Sequence, residues 1–160
     1  MKLGKIARLT SARTVVYTKN SHIDPDLVPC LEEIFAKIHT EESFFFEEID
    51  MERIVGGTLC IETENDDDVV YARRIGKPGF TRFIKNRERT PSTKVTVMLA
   101  WANEFHHYNL VTMFIGGKAE PEVWDKRATE KSKSFWQTHA LIMDGSYDLV
   151  PNSETKVCPW

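Results

Sequence analysis

Lys94-Val95-Thr96-Val97-Met98-Leu99-Ala100-Trp101, followed after a short gap by Tyr108-Asn109-Leu110-Val111-Thr112-Met113-Phe114-Ile115, is the stretch on which the fold turns. The first run is the clearest strand in the chain, rich in β-branched and large apolar residues. A polar loop from Asn103 to His107 separates the two runs and Gly116-Gly117 closes the second, so they read as neighbours in an antiparallel pair.

Upstream, NRERTPST (86–93) delivers the chain to this pair, and Phe80 to Lys85 forms a short extended piece behind the breaker Gly76-Lys77-Pro78-Gly79. Alternation in IVGGTLCIETE (54–64) and VVYARRI (69–75), across the acidic turn Asn65 to Asp68, predicts a hairpin. EESFFFEEID (41–50) fits either a second helix or a strand buried on both faces, and periodicity does not choose. From Pro29, the spacing of Leu31, Ile34, Phe35 and Ile38 predicts a helix ending near His39, with Glu32 and Glu33 at its positive end. Thr14 to Thr18 reads as a short strand, and Asp24-Pro25-Asp26 as the break before the helix. Downstream, AEPEVWD (119–125) leads to a last helix from near Ser132 that carries Phe135, Trp136, His139 and Ala140. The residues from Ser146 onward are polar and hold two prolines.

This order predicts an α+β fold: N-terminal helices, a twisted and mainly antiparallel sheet of four to five strands, and a short C-terminal helix. With 160 residues, 41% of them hydrophobic, one domain with its own core is expected, spanning 1–145, with 146–160 as a loosely packed tail. No run approaches the roughly eighteen apolar residues of a membrane span, and the opening is too polar for a signal peptide. A cytoplasmic protein without a membrane partner is expected. Cys30, Cys60 and Cys158 are odd in number and lack metal-ligand spacing, so reduced thiols and no metal are expected. No glycine-rich phosphate motif points to a nucleotide cofactor, and none is expected.

Charge is unevenly distributed. Arg73, Arg74, Lys77, Arg82, Lys85, Arg87, Arg89 and Lys94 face a single acid, Glu88, between residues 73 and 94, in a chain of net charge −3. Clustered Lys and Arg release counterions when they meet phosphates, so the segment suits RNA; a solvated strand face would look the same. Metal-free RNA cleavage needs a base for the ribose 2′-hydroxyl, an acid for the leaving 5′-oxygen, and donors for the phosphorane charge. His139 suits proton transfer, Arg74 and Lys77 the phosphate, and Thr112 a hydroxyl donor. Arg73, Arg82, Lys85, Arg87, Arg89 and Lys94 are the candidate RNA contacts. The expected arrangement sets the strand of Arg73 and Arg74 beside that of Thr112, closed by a helix bearing His139. Taken singly, His139 also suits a packed core position, and Trp124-Asp125 a loop anchor.

The run TKVTVMLAWANEFHHYNLVTMFIGGKAEPEVWD, with SFWQTHALI shortly after it, resembles the core of small bacterial and phage-associated domains of the barnase, EndoU, colicin and RelE superfold. Arg73 or Arg74 in VVYARRI matches that group's early basic residue, Lys85 sits in the next extended piece, and Thr112 in LVTMF matches its late Thr or Ser. The resemblance spans roughly residues 54–143. It implies a metal-independent ribonuclease, often a toxin acting on tRNA or mRNA, with a cognate antitoxin or immunity protein as a further partner. Two other readings stand beside it: a non-catalytic nucleic-acid- or protein-binding module of the same fold, and an acidic immunity or interaction protein.

Overall fold

A computed structural model describes the backbone of residues 2–7 and 12–160, with side chains from Thr14 onward. In chain order the strands are β1 (Lys2–Ala7), β2 (Ala12–Val16), β3 (His22–Ile23), β4 (Phe44–Asp50), β5 (Gly56–Thr58), β6 (Cys60–Glu62), β7 (Val69–Arg73), β8 (Phe80–Ile84), β9 (Thr90–Ser92), β10 (Lys94–Ala102), β11 (His107–Ile115) and β12 (His139–Ile142). A 3-10 turn at Pro25–Cys30 runs into α1 (Leu31–Ala36), and α2 covers Glu130–Thr138. The fold is α+β, and the chain divides into two compact units. The first comprises Met1–Thr58 and Pro91–Lys118, the second Leu59–Thr90 and Ala119–Trp160.

The first unit is built on the predicted pair. β10 and β11 run antiparallel, with Val95 opposite Ile115 and Trp101 opposite Tyr108, and a register shift between Met98 and Leu99. The Phe44–Asp50 run is a strand, pairing with β10 from Lys94–Asp50 to Ala100–Phe44. The sheet order is β1-β2-β11-β10-β4, and β3 also pairs with β11. β2 and β3 run parallel to β11. Alternate residues of these strands, among them Val95, Val97, Leu99, Leu110, Met113 and Ile49, pack with Leu27, Ile34, Phe35 and Ile38 from the helical stretch. α1 ends at Ala36, short of the expected end near His39; Ile34 and Phe35 are its buried face, and Leu27 and Ile38 pack from the 3-10 turn before it and the chain after it.

The second unit holds a four-stranded mixed sheet in the order β6-β12-β8-β7. β12 is antiparallel to β6 and parallel to β8, and β8 is antiparallel to β7. One face carries Val70, Ala72, Phe83 and Leu141 with Trp136 of α2; Ile61, Ile84, Ala140 and Ile142 form a second cluster. Thr129 caps α2 by accepting from the Lys131 amide at 3.2 Å, and Ser132 Oγ accepts from the Thr129 amide at 3.0 Å.

Several sequence expectations are corrected. The chain does not open on helices: the expected strand around Val15 forms and lies between β1 and β11, ahead of the helical stretch. Among the described residues three sheets, of six, four and two strands (the last β5 with β9), replace the single one, and a strand follows the last helix. The hairpin expected over 54–75 does not form: β7 instead makes a hairpin with the next strand, β8, across residues 74–79, and β6 takes the distant β12 as partner. The residues from Ser146 onward make backbone bonds to β7. Tyr71 and Thr155 exchange backbone hydrogen bonds at 2.7 and 2.8 Å, Val150 donates to Arg73 at 2.8 Å, and Trp160 meets Tyr71 edge-on at 5.2 Å. These polar residues satisfy the outer edge of β7, which hydropathy alone does not reveal. No helix among the described residues is long and apolar enough to cross a membrane.

Candidate active site

Arg74 follows the last residue of β7. Strand alternation turns it to the face of Val70 and Ala72 and turns Arg73 to the opposite face with Tyr71. Thr81 of β8 lies opposite Ala72 and is 1% exposed. The Arg74 guanidinium donates through Nε to Thr81 Oγ1 at 3.3 Å and through Nη2 to Glu122 Oε2, and Thr81 Oγ1 donates to Glu122 Oε1. The two charged side chains are 16% and 13% exposed. The guanidinium carbon lies 4.9 Å from the Tyr147 ring centroid and 5.6 Å from that of Trp124, within cation–π range of both. Lys77 Nζ lies 5.6 Å from the same Trp124 ring.

Glu122 arrives on the loop after the first unit. The Trp136 indole N–H donates to the Glu120 and Pro121 carbonyls, each at 3.1 Å, and the Asp125 amide to the Glu122 carbonyl at 2.9 Å. A β-carbon at Gly79 would run into Trp124, so glycine lets the loop lie against the turn after β7. Burial pushes the Glu122 carboxyl above its ordinary value, opposed by Arg74, Thr81, Trp124 and Lys77. The Trp124 indole N–H is buried without a full hydrogen bond of its own. Burial, with Glu122 nearby, pushes the Cys60 thiol up to about 12, and burial likewise raises the Tyr147 phenol.

His139 is not on the helix but is the first residue of β12, directly after α2 ends. Its ring stacks on Phe135 at 3.9 Å with planes 6° apart, and Nδ1 lies 3.0 Å from both the Phe135 carbonyl and Thr138 Oγ1. His139 and Thr81 each stand two residues ahead of the Leu141–Phe83 pair on parallel neighbouring strands. The pleat therefore turns His139 to the face that carries Arg74, Thr81 and Glu122.

The remaining candidates scatter. Thr112 is half-buried in the first unit, opposite Met98 and His22, so its strand is not a sheet neighbour of β7 as expected. Much of the basic segment is neutralised internally: Lys85 by Glu154 at 3.1 Å, Arg87 by Asp67 at 3.2 Å, Arg89 by Asp144 at 2.7 Å and Lys94 by Asp50 at 4.0 Å. Arg73 donates to the Lys77 carbonyl at 3.3 Å, and Arg82 to Thr63 Oγ1 and the His139 carbonyl, both at 3.1 Å. Sequence reasoning missed Glu122, Thr81 and Tyr147. Glu122 sits among acids and prolines that read as a solvated connection; its one signal is the apolar Val123-Trp124 beside it.

Among the described residues no group of three or more His, Cys, Asp and Glu side chains is placed to hold a metal ion. Comparison of the chain with protein-family models, with curated proteins and with solved structures gives no match.

Proposed function

We propose that the second unit carries a metal-independent endoribonuclease centre of toxin-like type, cleaving tRNA or mRNA by transesterification. The observation that carries this reading is Glu122: a largely buried carboxyl with a raised pKa, shared between a guanidinium and a hydroxyl, on the sheet face to which His139 also turns. A carboxylate poised in this way exchanges protons closer to neutral pH than an exposed one. Glu122 takes the proton of the ribose 2′-hydroxyl, and the 2′-oxygen bonds to phosphorus. The bond from phosphorus to the 5′-oxygen breaks, and protonated His139 gives its proton to that oxygen through Nε2. The products are a 2′,3′-cyclic phosphate and a 5′-hydroxyl end, and water returns both groups to their starting states. As Glu122 becomes neutral its hold on Arg74 weakens, freeing the guanidinium to stabilise the phosphorane oxygens. Lys77, exposed over Trp124, is the outer phosphate contact. Thr112 is given no step.

A non-catalytic binding module is the second reading, favoured by the internal pairing of five of the eight cations of the basic segment. In that case the Arg74–Glu122 pair only ties the 119–125 loop to the sheet. Product analysis separates the two. Incubation with tRNA and a structured mRNA in EDTA should yield cyclic-phosphate ends, and 2′-deoxy substitution at the cut sites should abolish the cuts. Intact RNA, or cutting that ignores the 2′-deoxy block, contradicts the ribonuclease reading.

A further inference from the structure

The turn from α2 into β12 concentrates hydrogen bonds well beyond what ending a helix requires. The Phe135 carbonyl accepts from the His139 amide, from Thr138 Oγ1 at 3.2 Å and from His139 Nδ1 at 3.0 Å. A carbonyl only accepts, so Nδ1 carries the ring proton, and with the Thr138 hydrogen also directed to Phe135, Thr138 Oγ1 accepts from Nδ1 as well. These bonds engage Nδ1 and leave Nε2 as the ring nitrogen turned away from them. The Thr138 carbonyl accepts from the Thr63 amide at 2.8 Å and from Thr63 Oγ1 at 3.1 Å. The parallel ladder with β8 begins only at Leu141, and the His139 carbonyl ahead of it is met by Arg82 Nη1, which also reaches Thr63 Oγ1.

Arg82 has no carboxylate within ion-pair distance among the described residues, and its Nε–H is buried without an acceptor. A half-buried guanidinium with an orphaned donor is a poor choice for stability alone. We infer that Arg82, with Thr63, is a positioning residue for His139 rather than a phosphate contact. Pinning the carbonyls of residues 138 and 139 fixes the backbone from which the imidazole stacks on Phe135, and with it the direction of Nε2. The inference rests on the ribonuclease reading for its catalytic meaning, but the ring geometry can be read without RNA.

The test uses Arg82→Met and Thr63→Val in the full chain, the second removing a hydroxyl and no charge. Side-chain ¹⁵N shifts of His139 in the free protein should show one Nδ1–H tautomer in the wild type and a mixed, exchanging pattern in both variants. With RNA, kcat should fall at least tenfold in both, with KM within twofold and the salt dependence of binding unchanged. Unaltered His139 signals in both variants overturn the inference, as does a raised KM in Arg82→Met with a salt slope smaller by about 0.7, the signature of one lost phosphate contact on a single strand. A wild-type protein that leaves RNA intact while the ring signals change as described refutes the ribonuclease reading and upholds the positioning role. Should Arg82→Met fail to fold, Thr63→Val carries both readouts.

Discussion

Glu122 exchanges hydration for one guanidinium and one hydroxyl, beside the Trp124 indole. Burial prevails, so its native pKa lies above the ordinary carboxyl value of 4.5. The native state therefore keeps a proton that the unfolded chain releases. The stability this proton confers is complete below about pH 4.5 and is lost as pH rises through the native pKa. Urea titrations of the wild type and Glu122→Gln between pH 4 and 8 should show the wild type losing stability relative to the variant as pH rises. A wild type that gains stability relative to the variant as pH rises would mean that the Arg74 ion pair outweighs burial. At this scale the sequence exposed the cations and His139 but not the carboxylate. Basic residues clustered between 73 and 94 stand out in any reading of the chain, whereas Glu122 looks like the acids around it until the sheet brings Arg74 and Thr81 to it.

Among the elements, those defined by local pattern were legible: the β10–β11 pair, the stripe of Leu31, Ile34, Phe35 and Ile38, and the extended piece that became β8. Those defined by distant partners were not. Nothing near Ile61 announces that it lies opposite Ala140, and nothing in the polar run after Ser146 announces a partner for β7. The same non-local pairing decided that His139 begins a strand. Its consequence is testable in the tail, where Lys85–Glu154 and Lys156–Asp68 ion pairs add to the backbone bonds at Tyr71 and Arg73. Ending the chain after Asp148 exposes the edge of β7 and removes the Trp160–Tyr71 contact, which should lower the melting temperature by about 5 °C or more. An unchanged melting curve would mean that the tail contributes only local order.

For the molecule as a whole, the prominent basic window does not make a basic unit. The second unit contains twelve Lys and Arg against thirteen Asp and Glu, so the surplus from Arg73 to Arg89 is answered within that unit, while Lys94 lies in the first. Of the eight cations, only Arg73, Lys77 and Arg82 lack a carboxylate partner among the described residues, and Arg82 is turned toward the α2–β12 junction. RNA binding should then involve about two or three phosphate contacts, giving a slope near −2 for log affinity against log salt. A slope near −5 would restore the whole segment as the RNA contact and remove the argument for a compact site. The most direct test of the central claim is single-turnover cleavage of end-labelled RNA in EDTA by the wild type, Glu122→Gln and His139→Ala, each first shown to melt cooperatively. The account predicts wild-type cleavage and a loss of at least a hundredfold in each variant. Cleavage that survives both substitutions, or a wild type that does not cut, would contradict it.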